Sequence, residues 1–367
     1  KWVKDQDIAL FAVDEAHCIS TWGHDFRPSY RRILAFIHAI RGLRPDVRIL
    51  GLTATADKKT EEDIRKQLSG SKPLKVLRES MNRPNISLSV FFVPKIANKL
   101  NACLQVVNQL EGCGLIYCST RENTELVAAF LKSRGINAAA YHAGMDSDHK
   151  RQLQTDFIND KFKVIAATNA LGMGIDKPNL RFIIHFDVPG SITAYYQEVG
   201  RCGRDGLKAS GVILFDPDDK RVQEYFIESA QPSTEDFIKV MNSIQCAPSA
   251  PNMMGVKSTT GLHPTRVITI LAELIEQGFI EKVKEKSAQV YLSTGKKGMP
   301  DLSRYSTQFS IKMRELRQML KYANQREICL MEVLRKALGD TVTQPCGHCG
   351  VCRPSSITYA VEPEEIA

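Results

Sequence analysis

No run in these 367 residues approaches the roughly 18–20 consecutive apolar positions of a membrane-spanning helix, so neither a transmembrane helix nor a membrane partner is expected. The opening residues Lys1-Trp2-Val3-Lys4-Asp5-Gln6 carry neither an initiator Met nor the apolar stretch of a secretory leader. There is no internal repeat and no low-complexity tract, which excludes a repeat array. Gly-Lys-Ser and Gly-Lys-Thr are also absent. Thr294-Gly295-Lys296-Lys297 lacks the hydroxyl after lysine, so no phosphate-binding loop of the form G-x-x-x-x-G-K-[ST] can be traced. What remains is a globular composition, 43% hydrophobic and 25% charged, long enough for two or three domains. It excludes a disordered tail, a collagen-like chain and a disulfide-rich mini-protein.

The charge is unevenly placed. Lys and Arg number 49 against 41 Asp and Glu, a net +8, and residues 257–353 alone hold 16 basic and 9 acidic residues. A basic C-terminal third suits a polyanion such as nucleic acid, and equally a plain solvated surface. Six of the ten cysteines (Cys18, Cys103, Cys113, Cys118, Cys202 and Cys246) are scattered. Without a leader they imply a reducing compartment, either a bacterial cytoplasm with its nucleoid or a eukaryotic nucleus.

The other four cysteines form a pattern. Cys346, Cys349 and Cys352 have C-x₂-C-x₂-C spacing, and Cys329 lies 17 residues earlier on an expected helix. Four thiolates suit a closed tetrahedral Zn²⁺ site, with Gly347 and Gly350 allowing the tight turns. An iron–sulfur cluster is the rival reading. Ferredoxin-type runs continue with x₃-C-P, however, and here Arg353-Pro354 follows. His348 could replace one thiolate, though four cysteines need no substitute.

Over the first 230 residues short apolar strands alternate with helical patterns. Residues 8–13 read as a buried strand ending in Asp14-Glu15, residues 47–52 as a second strand ending in Thr53-Ala54-Thr55, and 115–118, 138–141, 164–167 and 182–186 as further strands. Helices are expected over 29–39, 58–68, 123–134 and 219–227. This βαβα rhythm predicts parallel sheets covered by helices, with chemistry at the carboxyl ends of strands. Residues 69–85 read as a linker and 247–264 as a loop. A helix over 265–277, Gly278 as its cap, and strands over 279–283 and 289–292 outline a winged helix. Two more helices are expected over 308–323 and 325–338.

Asp14-Glu15-Ala16-His17 follows a strand, where adjacent carboxylates suit a Mg-nucleotide site. Asp14 would hold Mg²⁺ through water, Glu15 would orient or deprotonate the attacking water, and His17 would link the site to neighbouring motifs. The residues that follow place Trp22, Phe26 and Tyr30 beside Arg27, which offers stacking faces for unpaired bases and a phosphate clamp.

This string with its aromatic-rich loop resembles the RecQ family of superfamily 2 DNA helicases. The resemblance implies that Trp22, Phe26 and Arg27 sense single-stranded DNA and couple it to ATP hydrolysis. The remaining motifs follow in order. Thr53-Ala54-Thr55-Ala56 resembles motif III, Ile116-Tyr117-Cys118-Ser119-Thr120-Arg121 motif IV, and Tyr141-His142-Ala143-Gly144-Met145 the next signature. Residues 167–178, with Thr168, Gly174 and Asp176, resemble motif V. Residues 197–206, with Gln197, Arg201 and Arg204, resemble motif VI; Cys202 stands where the family usually has Ala. Thr55 and Thr168 are carried over as DNA contacts, and Gly174, Asp176, Arg201 and Arg204 as nucleotide contacts. Arg204 is assigned the finger that stabilises phosphoryl transfer, with Arg201 a second phosphate contact and Gln197 beside them in the catalytic set. The family's zinc site also has one helical Cys and a C-x₂-C-x₂-C loop. Two departures stand out: Leu330-Met331 replace basic residues, and the winged-helix outline precedes the zinc segment, the reverse of the commonest order.

The resulting expectation is an α/β chain of two RecA-like parallel-sheet motor domains, the first incomplete (1–80) and the second whole (81–230). A winged-helix-like segment (231–298), a helical zinc-binding subdomain (299–355) and an acidic tail (356–367) follow. The complete protein would be an ATP-dependent DNA helicase of 3′→5′ polarity acting in repair and recombination. It would use Mg²⁺ with ATP and a structural Zn²⁺, with single-stranded and duplex DNA as partners. Without the phosphate loop, the chain alone is expected to be inactive. The alternatives are a non-catalytic DNA-binding protein derived from a helicase, which intact Asp14, Glu15, Arg201 and Arg204 oppose, and an RNA helicase with an Asp-Glu-Ala-His box.

Overall fold

The structure, a computed structural model, describes residues 8–20, 28–54, 56, 58–70, 73–171, 176–285, 288–341, 344–353 and 357–359. In chain order the elements are β1 (Leu10–Val13), α1 (Pro28–Leu43), β2 (Arg48–Gly51), α2 (Lys58–Leu68), β3 (Ile86–Phe92), α3 (Ile96–Gln109) and β4 (Cys113–Tyr117). Then come α4 (Arg121–Ser133), β5 (Ala138–Tyr141), α5 (Ser147–Ile158), β6 (Val164–Ala167), β7 (Leu180–His185), α6 (Ile192–Val199) and β8 (Ala209–Phe215). The chain continues through α7 (Lys220–Ala230), α8 (Thr234–Gln245), α9 (Met253–Thr260), α10 (Pro264–Glu276), β9 (Ile280–Glu285), β10 (Ala288–Ser293), α11 (Ser303–Asn324) and α12 (Leu330–Ala337). The fold divides into two compact units. One comprises Lys1–Thr53, Lys59–Leu74 and Glu224–Met313, the other Ala54–Lys58, Lys75–Gln223 and Arg314–Ala367.

The second unit holds an all-parallel six-stranded sheet in the order β3-β8-β7-β4-β6-β5. Strands β4 and β6 are buried at every position, as a sheet covered on both faces requires. Side chains on the two faces form two cores, one around Leu115, Ile165 and Ile183, the other around Ile116, Ala166 and Ile184. Gly114 is fixed by packing rather than by its backbone: a Cβ there would come within 2.1 Å of the Phe182 ring on β7. Strands β3 and β8 were not among the sequence expectations, although they pair over seven residues, Ile86↔Ala209 to Phe92↔Phe215.

In the first unit β1 and β2 pair in parallel, Leu10↔Arg48 to Val13↔Gly51. The expected buried strand 8–13 is largely open, Leu10 being 53% exposed, and in the second strand Leu50 and Leu52 are 41% and 47% exposed. Strand β1 pairs with β2 alone among the described residues, so side chains that a wider sheet would enclose face outward. Helices α8, α9 and α10 pack with the β9–β10 hairpin around Phe237, Val256, Val267, Leu271 and Tyr291. Asn252, between α8 and α9, forms an antiparallel bridge to Val290 on β10, adding a rudimentary third strand to the hairpin. The helix–glycine–hairpin outline read from the sequence is therefore present, and Gly278 takes φ +75° just past α10.

Three further expectations are corrected. The supposed loop 247–264 contains α9, held at its start by the Asn252 side chain, which accepts the Gly255 N–H, and at its end by Gly261 at φ +68°. The last helix starts at Leu330 rather than 325. Here the Gln325 side chain accepts the N–H groups of Glu327 and Ile328 and so favours a turn. Cys329 accordingly sits at the N-cap of α12, not within a helix.

Candidate functional site

The carboxylate motif lies where β1 ends. Asp14 and Glu15 are exposed, whereas His17 is buried. Glu15 adopts the left-handed conformation at φ 48°, uncommon for a residue with a Cβ, and its N–H donates to Asp14 Oδ1 at 2.8 Å. This turn is tied to β2: Ala16 N–H donates to the Leu52 carbonyl at 2.8 Å, and Leu52 N–H to that of Val13 at 2.8 Å. His17 Nδ1 lies 2.9 Å from Thr53 Oγ1 and 3.3 Å from Glu15 Oε2. His17 thus lies between Glu15 of the carboxylate motif and Thr53. Trp22, Phe26, Arg27 and Thr55 lie outside the described residues, as does Gly174.

In the second unit three motifs converge at the carboxyl ends of adjacent strands. Ser119, Thr120 and Arg121 follow β4, His142 follows β5 and Thr168 follows β6. Thr120 caps α4 by accepting the Asn123 N–H at 3.1 Å. Thr168 N–H donates to the Tyr141 carbonyl at 3.2 Å. Arg121 is exposed and lies so close to Gly144 that a Cβ there would meet its guanidinium at 2.9 Å. His142 Nε2 is 3.0 Å from Glu125, while its buried Nδ1 has no hydrogen-bond partner among the described residues. Hydroxyls and an exposed guanidinium suit an anion such as a phosphate.

Motif VI runs from α6 into a turn. Gln197 is half-buried on α6, and Arg201 follows with its Nε buried and unpaired among the described residues. Arg204 Nη1 is 2.9 Å from Asp176, so two residues expected to contact nucleotide meet, in a pair too exposed to matter much for stability. Cys202 is fully buried, with its thiol 3.1 Å from the Val199 carbonyl, which explains why a small residue is needed there. Glu198 anchors the helix to β7 through His185, Oε2 to Nε2 at 2.8 Å.

The four cysteines meet as expected, their sulfurs all within 4.8 Å of one another. The N–H of Cys346 points at Cys329 Sγ (3.2 Å) and that of Cys349 at Cys346 Sγ (3.3 Å), bonds that stabilise thiolates. Burial works against the Cys349 thiolate, but the N–H groups of Cys352, Leu330 and Val351 outweigh it and hold the pKa at about 7. This donor set fits Zn²⁺, which would crosslink the α12 cap to the loop. His348 is no ligand: Nδ1 lies 2.6 Å from the Cys346 carbonyl and Nε2 3.2 Å from that of Ile86. The loop is stitched to β3 by Ser87 Oγ to the His348 carbonyl (2.6 Å) and by Gly350 N–H to Leu88 (2.8 Å). Leu330 and Met331, at positions where basic residues were expected, are buried in the sheet core.

Sequence reasoning missed Asp187, Lys99 and Asp219, which form a buried ionic cluster at the same strand ends. The available signal was the one that singled out Asp14: Asp187 also follows an apolar run, residues 182–186.

Comparison with known families matches residues 2–64 to the DEAD/DEAH box helicase domain, 98–206 to the helicase conserved C-terminal domain and 273–353 to RecQ zinc-binding. The chain is 43% identical over 212 residues to the ATP-dependent DNA helicase RecQ of Pasteurella multocida, covering 58% of this chain and 32% of that protein. It is 39% identical over 244 residues to the probable ATP-dependent DNA helicase RecS of Bacillus subtilis (66% and 48%). A putative ATP-dependent RNA helicase of Acanthamoeba polyphaga mimivirus is 41% identical over 225 residues (60% and 39%). The chain thus spans between a third and a half of the length of these relatives. Among solved structures, Saccharomyces cerevisiae Dbp5 bound to RNA and ADP BeF3 matches with TM-score 0.47 at 22% identity, covering 60% of this chain and 58% of that one.

Proposed function

Starting from a chain that is a RecQ-family helicase sequence, we propose that the complete protein is an ATP-dependent DNA helicase of 3′→5′ polarity that acts in repair and recombination. The observation that carries this reading is the His17–Thr53 bond, which joins the carboxylate motif to the string leading toward Thr55. In this reading Asp14 holds Mg²⁺ of Mg-ATP through water and Glu15 activates the attacking water. Gln197, Arg201 and Arg204, with Gly174 and Asp176, serve the nucleotide, and the arginines stabilise the charge of phosphoryl transfer. Trp22, Phe26, Arg27, Thr55 and Thr168 engage single-stranded DNA. Residues 231–298 form a winged-helix module that contacts duplex DNA, between the motor segments 1–80 and 81–230 and the zinc subdomain 299–355.

The relative named as an RNA helicase makes RNA the competing substrate. Unwinding by the full-length protein is to be measured on matched DNA and RNA duplexes with 3′ single-stranded tails. Faster unwinding of DNA, with ATP hydrolysis stimulated by DNA, is expected; a preference for RNA would overturn the reading. Residues 1–367 contain no Gly-Lys-[Ser/Thr], so we expect this chain alone neither to bind ATP tightly nor to unwind DNA. DNA-dependent ATP hydrolysis by the purified chain would show that expectation to be wrong.

A further inference from the structure

After β4 the chain passes to β5, beyond β6 on one side of β4, and after β7, the neighbour of β4 on its other side, to β8 on the opposite side. Such a switch point opens a crevice at the carboxyl ends of the strands, where α/β sheets ordinarily take ligands. Here the crevice is filled from within. Asp187, just past β7, accepts the Ser119 N–H on Oδ2 at 2.7 Å and the Asn123 side-chain amide at 3.0 and 3.2 Å. Gln223 Nε2 reaches both Ser119 Oγ (3.0 Å) and the Val188 carbonyl (2.8 Å). Lys99, from α3, is 2% exposed; its Nζ lies 2.6 and 2.8 Å from the two oxygens of Asp219 and 3.6 Å from Asp187. It also sits 5.2 Å from the centre of the Phe186 ring. Asp219 in turn accepts the Val188 N–H at 3.0 Å.

One buried cation therefore serves two carboxylates, and one of these clamps both ends of the turn 119–123. Burying three charges is costly, and an apolar side chain in place of Lys99 would fill the space without that cost. The turn under the clamp carries Thr120 and Arg121, beside His142 and Thr168. We propose that Lys99, Asp187 and Asp219 are positioning residues for nucleic-acid binding: they fix the turn 119–123 so that Thr120 and Arg121 meet a phosphate of single-stranded DNA. The ligand's identity rests on the helicase reading above; the clamp rests on geometry alone. Burial pushes the Asp219 carboxyl up to about 6, with Lys99 pulling it down and the charge of Asp187 adding to the rise, so the two acids interact even with Lys99 present. Without Lys99 the influence that pulls the Asp219 carboxyl down is gone, so Asp219 takes up a proton, and Asp187 is left without the cation that holds it over the turn.

The clamp is testable in the chain 1–367 without ATP. Hydrogen exchange should show the Ser119 amide losing protection in Lys99→Met while the β4 amides keep theirs, and Lys99→Arg should restore it. Binding to a fluorescent oligothymidylate strand should weaken about tenfold in Lys99→Met and in Arg121→Ala, the loss of one charge-assisted contact. The double variant should bind no more weakly than either single one, because both remove the same contact. Zinc content and thermal midpoint check folding, and Asp187→Asn takes the place of Lys99→Met if that variant unfolds. Unchanged exchange at Ser119, or losses that add in full, would overturn the clamp. If the unaltered chain ignores oligothymidylate while Ser119 responds as expected, the DNA reading and the ligand assignment fall together and only the clamp stands.

Discussion

Asp219 carries a pH signature of its own. Burial raises its carboxyl from 3.8 to about 6 in the folded chain. The folded state then binds a proton more tightly than the unfolded one. The resulting stabilisation is fully present below about pH 4 and is lost as pH rises through about 6. Relative to Asp219→Asn, which cannot ionise, the unaltered chain should lose on the order of 2–3 kcal/mol between pH 4 and pH 7. Urea unfolding of both chains across that range measures the gap; a gap independent of pH would mean that Asp219 titrates normally. The same residue shows where sequence reading stops. Asp14, Glu15 and His17 were legible because a motif surrounds them, and the four cysteines because their spacing is that of a ligand set. Lys99 sits in a helix among other polar residues, and only the fold brings it to Asp187 and Asp219, 88 and 120 positions away.

At the scale of elements, the sheet interior allows little change. Strand β4 lies between β6 and β7, and Gly114 leaves the space that the Phe182 ring occupies. Gly114→Ala should destabilise the chain by roughly 1–3 kcal/mol through overpacking, read as a lower urea midpoint with an unchanged slope. Gly135, with open space around its Cβ position but φ +80°, makes the contrasting case. Alanine there should cost only the backbone strain of a left-handed residue, about 1 kcal/mol. Equal losses at the two positions would contradict this separation of packing from strain. Strands β3 and β8 escaped the sequence reading because Ile86-Ser87-Leu88-Ser89 alternates polar and apolar residues and Ala209-Ser210-Gly211 begins with small ones. Neither looks like the continuous apolar run of β6, Val164 to Ala167. Helix α9 was hidden for another reason: its sequence, Met253 to Thr260, has one buried residue, Val256, and its limits are set by Asn252 and Gly261 rather than by an apolar stripe.

The whole molecule has separate cores, and the metal belongs to only one of its units. Cys329 and Cys349 are members of the same buried cluster as Leu88, Leu115 and Ile183 of the six-stranded sheet. Among the described residues, the cluster around α8, α9 and α10 shares none with it. Zinc should therefore stabilise the sheet unit directly, by holding the α12 cap and the loop that β3 binds through Ser87 and Leu88. A structural zinc site contributes on the order of 10 kcal/mol of binding energy that counts as folding energy, and losing even a third of that would lower the midpoint of a unit this size by about 10 °C. Scanning calorimetry of the chain with and without a zinc chelator should show one transition moving down by at least that amount. The transition belonging to the α8–α10 module should stay in place. Cys352→Ser should reproduce the shift without chelator, together with a loss of bound zinc. If both transitions moved together, the two cores would be energetically coupled despite sharing no buried residue; if neither moved, the four thiols would not be a structural metal site.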